Sequence, residues 1–373
     1  MMQAAELHTL VTTKKVIVAC GAGGVGKTTT AAALALAGAR AGRRVLVLTI
    51  DPAKRLAQAL GIRESMRHPT PLSKETLAEA GVTTGTLDAW MLNPDVVFES
   101  LVHRMAPSPA QAQRVLDSRL FRLLSELVAG MQEYTAAEAL YELSTSGRYD
   151  LVVLDTPPAR NALDFLEAPG KLARFLDERI ISLFLPSTSK GFFKKAQELI
   201  GNVFGRVFGT EFFAELQEFL AAFSGMFGPM RAHAEGVRKL LTSNDASFLL
   251  VTSPDQAALE DARYFRDRIL AMKLPFAGFI LNRSWVRTDG LVSPDTLEHT
   301  PEADLPGARS GLTKLKALAA VELERVKRDA ALLEQLAKEV PATAFAIATP
   351  YLGEAIEDVK GLAQLARGIT GAA

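Results

Sequence analysis

The chain of 373 residues has a single cysteine, Cys20. An intrachain disulfide needs two cysteines, and so does a Cys-x2-Cys zinc or iron–sulfur site. No zinc and no iron–sulfur cluster are therefore expected, and Cys20 reads as a small buried hydrophobe ending a strand. Histidine is scarce as well: His8, His68, His103, His233 and His299 stand far apart, without metal-ligand spacing. Neither sign of charge is in excess, with Lys+Arg and Asp+Glu at 42 each. No global field then draws nucleic acid or an acidic membrane, and no nucleic-acid partner is expected. No apolar run reaches the roughly 18 residues of a membrane span, and Met1–Thr13 lacks a cationic start followed by an apolar stretch. Both absences predict a cytoplasmic chain that does not cross a membrane. Internal repeats are missing too, so one nucleotide-binding copy is expected.

What is present is a phosphate loop. Gly21-Ala22-Gly23-Gly24-Val25-Gly26-Lys27-Thr28 follows the apolar run Val16–Cys20 and leads through Thr29 into the alanine-rich stretch ending at Ala41. The glycines let successive backbone N–H groups point inward around phosphates, Lys27 can reach the β and γ oxygens, and the Thr28 hydroxyl can ligate magnesium. A nucleoside triphosphate with Mg²⁺ is the implied ligand pair.

Short apolar runs alternate with longer helical patterns, which predicts an α/β fold: a mostly parallel, doubly wound sheet. The strand candidates are Lys15–Cys20, Arg44–Ile50, Thr86–Leu92, Asp150–Leu154, Ser247–Thr252, Phe276–Leu281 and Thr343–Ala348. Leu312, Leu315, Ala319, Leu323, Val326, Ala330, Leu333 and Val340 recur three or four apart and predict one long helix that Pro341 stops. Arg287–Gly307 reads as an exposed loop. Glu354–Ile369 reads as a packed terminal helix.

Ligands gather at the carboxyl ends of parallel strands, so the strand exits are read for chemistry. Asp155, after Leu151–Leu154, is placed as a Walker B carboxylate holding magnesium directly or through water. Asp51 leaves the second strand. With an ordinary carboxylate pKa near 3.9 it is a poor base, so it orients the attacking water, shares the magnesium shell, or caps a helix. Asn282 and Arg283 leave Phe276–Leu281. Asn282 can read a base edge or serve as a turn residue, and Arg283 can stack on a base. The missing Thr/Asn-Lys-x-Asp motif favours adenine over guanine. Thr349-Pro350-Tyr351 follows the last strand and is a candidate wall of the base pocket, with Pro350 at its centre, or a plain turn.

Together, Gly21–Thr29, Asp51-Pro52-Ala53, Asp155-Thr156-Pro157-Pro158 with Ala162–Leu166, and Ile280-Leu281-Asn282-Arg283 resemble the ArsA/Get ATPases, in the same order along nearly the whole chain. That family contains the ATPase subunit of arsenite pumps and the ATPase that delivers tail-anchored membrane proteins. The resemblance implies a deviant-Walker P-loop NTPase fold, a dimer with nucleotides at its interface, and ATP with Mg²⁺. It further implies Asp51 as the water-positioning residue, Asn282 as the adenine reader, and an inserted helical subdomain. Three features depart from it. The family loop usually begins Gly-Lys-Gly-Gly, and its first lysine reaches across the dimer; Ala22 stands there. Lys54, Arg55 or Arg160 is expected to supply the cross-dimer charge, or else hydrolysis is slow. The zinc Cys-x2-Cys pair and the arsenite-binding cysteines are also missing.

The ATPase core is expected over 1–93, 144–170 and 242–373, with the helical insertion over 94–143 and 171–241. Eleven of the 19 phenylalanines fall between Phe175 and Phe227. Phe192, Phe193, Phe204, Phe208, Phe212, Phe219 and Phe223 are candidates for a client surface, with subdomain core and membrane docking as the other readings. The chain is thus expected to be a dimeric MgATPase switch, a homodimer or a heterodimer with a paralogue. Its expected use is binding hydrophobic membrane-protein segments. Energising a membrane anion pump is the alternative, and a MinD/ParA-like positioning ATPase the second.

Overall fold

The computed structural model describes residues 2–50, 55–61, 67–120, 131–157, 203, 206, 209–287, 296, 308–352, 356 and 358–371. They divide between two compact units. One comprises Met1–Met91, Gly147–Arg160 and Thr242–Ala373; the other comprises Leu92–Ser146 and Asn161–Leu241.

In the first unit, strands form where apolar runs are shielded on both faces. The strands are β1 (Val16–Cys20), β2 (Arg44–Thr49), β3 (Thr70–Pro71), β4 (Thr86–Met91), β5 (Leu151–Asp155), β6 (Ala246–Thr252), β7 (Phe276–Leu281) and β8 (Phe345–Ala348). They make one eight-stranded sheet in the order β3-β4-β2-β5-β1-β6-β7-β8. All pairs are parallel except β3 with β4. Ile17, Ala19, Val45, Val47, Leu151, Val153, Leu249 and Val251 join one core cluster. The intervening Val16, Val18, Leu46, Leu48, Val152, Leu154, Phe248 and Leu250 are equally buried. Such continuous burial is what a parallel sheet covered on both sides requires. The doubly wound α/β fold expected from the sequence is the fold observed. Seven strands follow the expected runs; the eighth, β3, is a two-residue antiparallel edge containing a proline, too short for any periodicity.

The helices of this unit are α1 (Met2–Thr13), α2 (Lys27–Arg40), α3 (Arg55–Leu60) and α4 (Lys74–Glu79), followed after the second unit by further helices named below. Helix α2 is almost wholly buried, and its small side chains bring it close over the sheet: a Cβ at Gly38 would lie 2.8 Å from Leu151 Cδ2. The second unit contains α5 (Pro94–Met105), α6 (Pro109–Asp117), α7 (Met131–Thr145), α8 (Thr210–Ser224) and α9 (Phe227–Leu241). Asn93 and Ser108 cap α5 and α6 from the side chain, each followed by a proline in the first turn, so both start points are written in the local sequence.

The first unit then resumes with α10 (Gln256–Ala271), α11 (Ala308–Lys338) and α12 (Val359–Thr370). Helix α12 is the packed terminal helix expected, burying Val359, Leu362, Ala363, Leu365, Ala366 and Ile369. On α11 the buried positions are Ala319, Asp329 and Leu336, whereas Leu315 and Leu323 are exposed. Leu312, Val326, Ala330 and Leu333 are half-buried, so periodicity located this helix and most of its buried side, missing at Leu315 and Leu323. The expected loop at Arg287–Gly307 lies, apart from Arg287 and Thr296, outside the described residues.

Candidate active site

Three strand ends and one helix start assemble the site. β1 runs fully buried to Cys20, and burial pushes that thiol up to about 12, so it stays neutral and inert. The chain then enters the loop at Gly21, whose φ of 150° suits glycine, and a Cβ there would lie 2.1 Å from the Val251 carbonyl oxygen of β6. Gly26 closes the loop as N-cap of α2 with φ 92° and no side-chain cap. Between them lie Gly23, Gly24 and Val25, and beyond them Lys27, Thr28 and Thr29 open α2. The uncapped helix start leaves its first N–H groups for an anion. Lys27 is only 6% exposed, and its Nζ donates to the Ala22 carbonyl at 2.7 Å, which holds the ammonium across the loop.

Asp155 ends β5 with no exposed surface. Parallel register sets it beside Ala19 of β1 and Thr49 of β2. The Thr28 hydroxyl donates to its Oδ2 at 2.7 Å, and the Thr49 hydroxyl donates to the same oxygen at 3.0 Å. Thr156 donates from its hydroxyl to the Ala19 carbonyl at 2.9 Å, locking the turn that follows. A buried carboxylate is costly unless hydrogen-bonded, and these hydroxyls offset that cost. Thr28 and Asp155 are hard oxygen donors in contact beside the phosphate loop. Mg²⁺ is commonly held this way, through one or two protein oxygens completed by phosphates and water, so the residues present fit it. Thr49 was not singled out from the sequence; its place at the end of a strand beside β5 was the available signal.

At the other side of the loop, Asn282 donates from Nδ2 to the Val25 carbonyl at 2.8 Å, and its Oδ1 accepts from Thr349 Oγ1 at 2.8 Å. Arg283 is exposed with φ 56°. Pro350 packs towards α12, where a Cβ at Gly368 would meet its Cγ at 2.4 Å. Beside them Trp285 stacks on Tyr351 with centroids 4.7 Å apart, and the Arg325 guanidinium lies 5.2 Å from the Trp285 ring centroid. The Trp285 backbone N–H donates to the fully buried Asp329 at 3.0 Å, which fixes the stack to α11. The sequence names Thr349-Pro350-Tyr351 as a candidate wall of the base pocket; it does not single out Trp285 or the bond from Thr349 to Asn282.

Asp51, Lys54 and Arg160 lie outside the described residues, as do Phe192, Phe193, Phe204 and Phe208; Arg55 opens α3, its side chain not described. Two of the client-surface candidates are corrected. Phe219 and Phe223 are 5% and 8% exposed and stack on each other at 5.5 Å within a core containing Phe98, Leu101 and Met230. Burying a large aromatic in this cluster removes apolar area from water, which favours the core position. Phe212 is partly buried on the same cluster and also lines a cavity of about 420 Å³ with Arg119 and Glu215.

A family model described as anion-transporting ATPase matches residues 14–289, which includes every strand exit described above except that of β8. The chain belongs to this ArsA-type ATPase family. An uncharacterized protein of Streptomyces coelicolor, SCO2128, is 36% identical over 157 residues, 42% of this chain and 37% of that protein. ATPase ASNA1 homolog 1 of Paramecium tetraurelia is 24% identical over 278 residues, 73% of this chain and 75% of its own length. A putative arsenical pump-driving ATPase 2 of Aquifex aeolicus is 30% identical over 163 residues, 42% of this chain and half of its own length. ATP hydrolysis is the activity of the family, and the match spans the phosphate loop, Lys27 and the buried Asp155. No helix among the described residues is long and apolar enough to cross a membrane.

Proposed function

We propose that the chain is a Mg²⁺-dependent ATPase acting as a dimeric switch, in which hydrolysis alters how it holds hydrophobic segments of membrane proteins. The observation that carries the ATPase part is the convergence of Thr28 and Thr49 on one oxygen of the buried Asp155, at the mouth of the glycine cradle. Thr28 and Asp155 would hold magnesium, which would neutralise charge developing on the phosphates. Lys27 exchanges its Ala22 partner for a β or γ oxygen, and the α2 N–H groups hold the phosphate chain. Asn282 meets the base edge and Pro350 and Arg283 flank it. Asp51 positions the attacking water, and Lys54, Arg55 or Arg160 supplies charge across the dimer where Ala22 has none.

A switch needs a ligand that binds its two states differently, and ATP against ADP is that ligand. Energising a membrane anion pump remains the second reading, favoured by the family description and by the pump-driving relative. Steady-state ATPase activity and mass by light scattering, wild type beside Asp51→Asn, test the switch. A Mg²⁺-dependent rate that falls by about a hundredfold in the variant, with ATP holding a dimer, is expected. A monomer that turns over ATP at the same rate with either residue overturns it.

A further inference from the structure

We infer that Asn282 and Thr349 form a clamp that positions the phosphate loop, so that Asn282 acts on the triphosphate through the Val25 carbonyl and not on the base alone. The clamp joins three segments remote in sequence: the loop after β1, the exit of β7 and the exit of β8. Asn282 Nδ2 donates to Val25 O at 2.8 Å, and Thr349 Oγ1 donates to Asn282 Oδ1 at 2.8 Å. A carbonyl only accepts, so the nitrogen of the amide must face Val25, and its oxygen must face Thr349, whose hydroxyl then has to donate. Thr349 is 1% exposed, which leaves water little access to compete for that bond. The amide is thereby fixed in one orientation. One amide hydrogen and one oxygen lone pair remain for a ligand.

The mechanical consequence follows from the planar trans peptide, in which C=O and N–H point to opposite sides. Holding the Val25 carbonyl on Asn282 turns the Gly26 N–H the other way, to the side on which a loop of this kind cradles phosphates. Contact is close enough to dictate the residue: a Cβ at Gly26 would lie 2.1 Å from Asn282 Nδ2. A peptide plane held from behind need not be ordered when the ligand arrives. Thr349 is a positioning residue in this scheme, acting through Asn282.

The clamp rests on reading the loop as the triphosphate site, and the test separates the two. Inorganic triphosphate with Mg²⁺ carries the phosphates without a base. Its inhibition constant against ATP hydrolysis and the KM for ATP are measured for wild type, Thr349→Val, Thr349→Ser and Asn282→Ala. Losing one such bond is worth a factor of about three to ten. Thr349→Val and Asn282→Ala are expected to weaken inorganic triphosphate by that factor, while Thr349→Ser, which keeps the donor, stays near wild type. Unchanged triphosphate inhibition in Asn282→Ala, with a raised KM for ATP, would restrict Asn282 to the base and overturn the clamp. So would equal values for the serine and valine variants. A wild-type protein that binds ATP but is not inhibited by inorganic triphosphate overturns the loop reading, and the clamp with it. Should Thr349→Val fail to fold, the Asn282→Ala comparison carries the test alone.

Discussion

Two aspartates at opposite ends of β5 show how environment assigns different work to one side chain. Asp155, at the carboxyl end, is buried and receives hydroxyls from Thr28 and Thr49. Asn at that position keeps the shape and loses the charge a divalent cation needs. Asp155→Asn should lower the ATPase rate by about a hundredfold or more, as expected when several kcal/mol of metal-based stabilisation are lost; a Mg²⁺ titration of the rate checks it, and a variant with the wild-type rate and Mg²⁺ dependence would remove Asp155 from the site. Asp150, just before the strand, faces Arg44, which donates to both of its oxygens. These hydrogen bonds, led by the guanidinium, hold its carboxyl down at about 2, against an ordinary 3.8. A depressed folded-state value means that the stabilisation is fully present above pH 3.8 and is lost as pH falls through 2. The pair is partly exposed, so the effect is modest. The gap in urea midpoint between wild type and Asp150→Asn should be constant from pH 5 to 8 and close as pH approaches 2. A gap that widens on acidification would contradict the assignment.

At the scale of elements, α8 is where sequence and structure part most instructively. Its phenylalanines are spaced for one face, and that spacing serves a core and a groove equally well, so periodicity alone could not choose. Burial chooses for Phe219 and Phe223, which join the core cluster of a helix that packs on α6. Phe219→Ala should destabilise the helical unit by about 3 kcal/mol or more through the cavity it leaves, read as a shift in the urea unfolding midpoint. A surface phenylalanine would leave that midpoint where it is. The strands were legible for a simple reason: a parallel strand covered on both faces is buried along its whole length and so draws mostly apolar residues, as β1, β5 and β6 do. The phosphate loop was legible because its spacing is dictated by the phosphates. Helix α1 was not, since Met2–Thr13 mixes apolar and polar residues without a clear stripe. On α11 the repeat of Leu315 and Leu323 named the helix, but how far the sheet reaches along it is a tertiary fact. Thr49, and the bond from Thr349 to Asn282, were illegible for a similar reason: each threonine acts on a partner brought near only by strand order.

At the scale of the whole molecule, equal numbers of acidic and basic residues give no long-range field, so recognition of a partner must be local and short-range. The hydrophobic-segment reading therefore depends on exposed apolar side chains of the helical insertion. With Phe219 and Phe223 committed to the core, its weight shifts to Phe192, Phe193, Phe204 and Phe208. The double variant Phe192→Ser with Phe193→Ser is the sharper probe, because neither residue is among the ATP-site candidates. The purified protein loaded with ATP is expected to bind and keep in solution a peptide of about 20 apolar residues, long enough to span a bilayer. The double variant should lose most of that binding and keep the wild-type ATPase rate. If the wild type fails to hold the peptide in ATP and in ADP alike, no client groove exists, and the nucleotide cycle must be spent on a membrane partner instead. The anion-pump reading would then be the better one, because an ATPase that energises a pump needs a docking face for its membrane subunit and no affinity for isolated apolar helices.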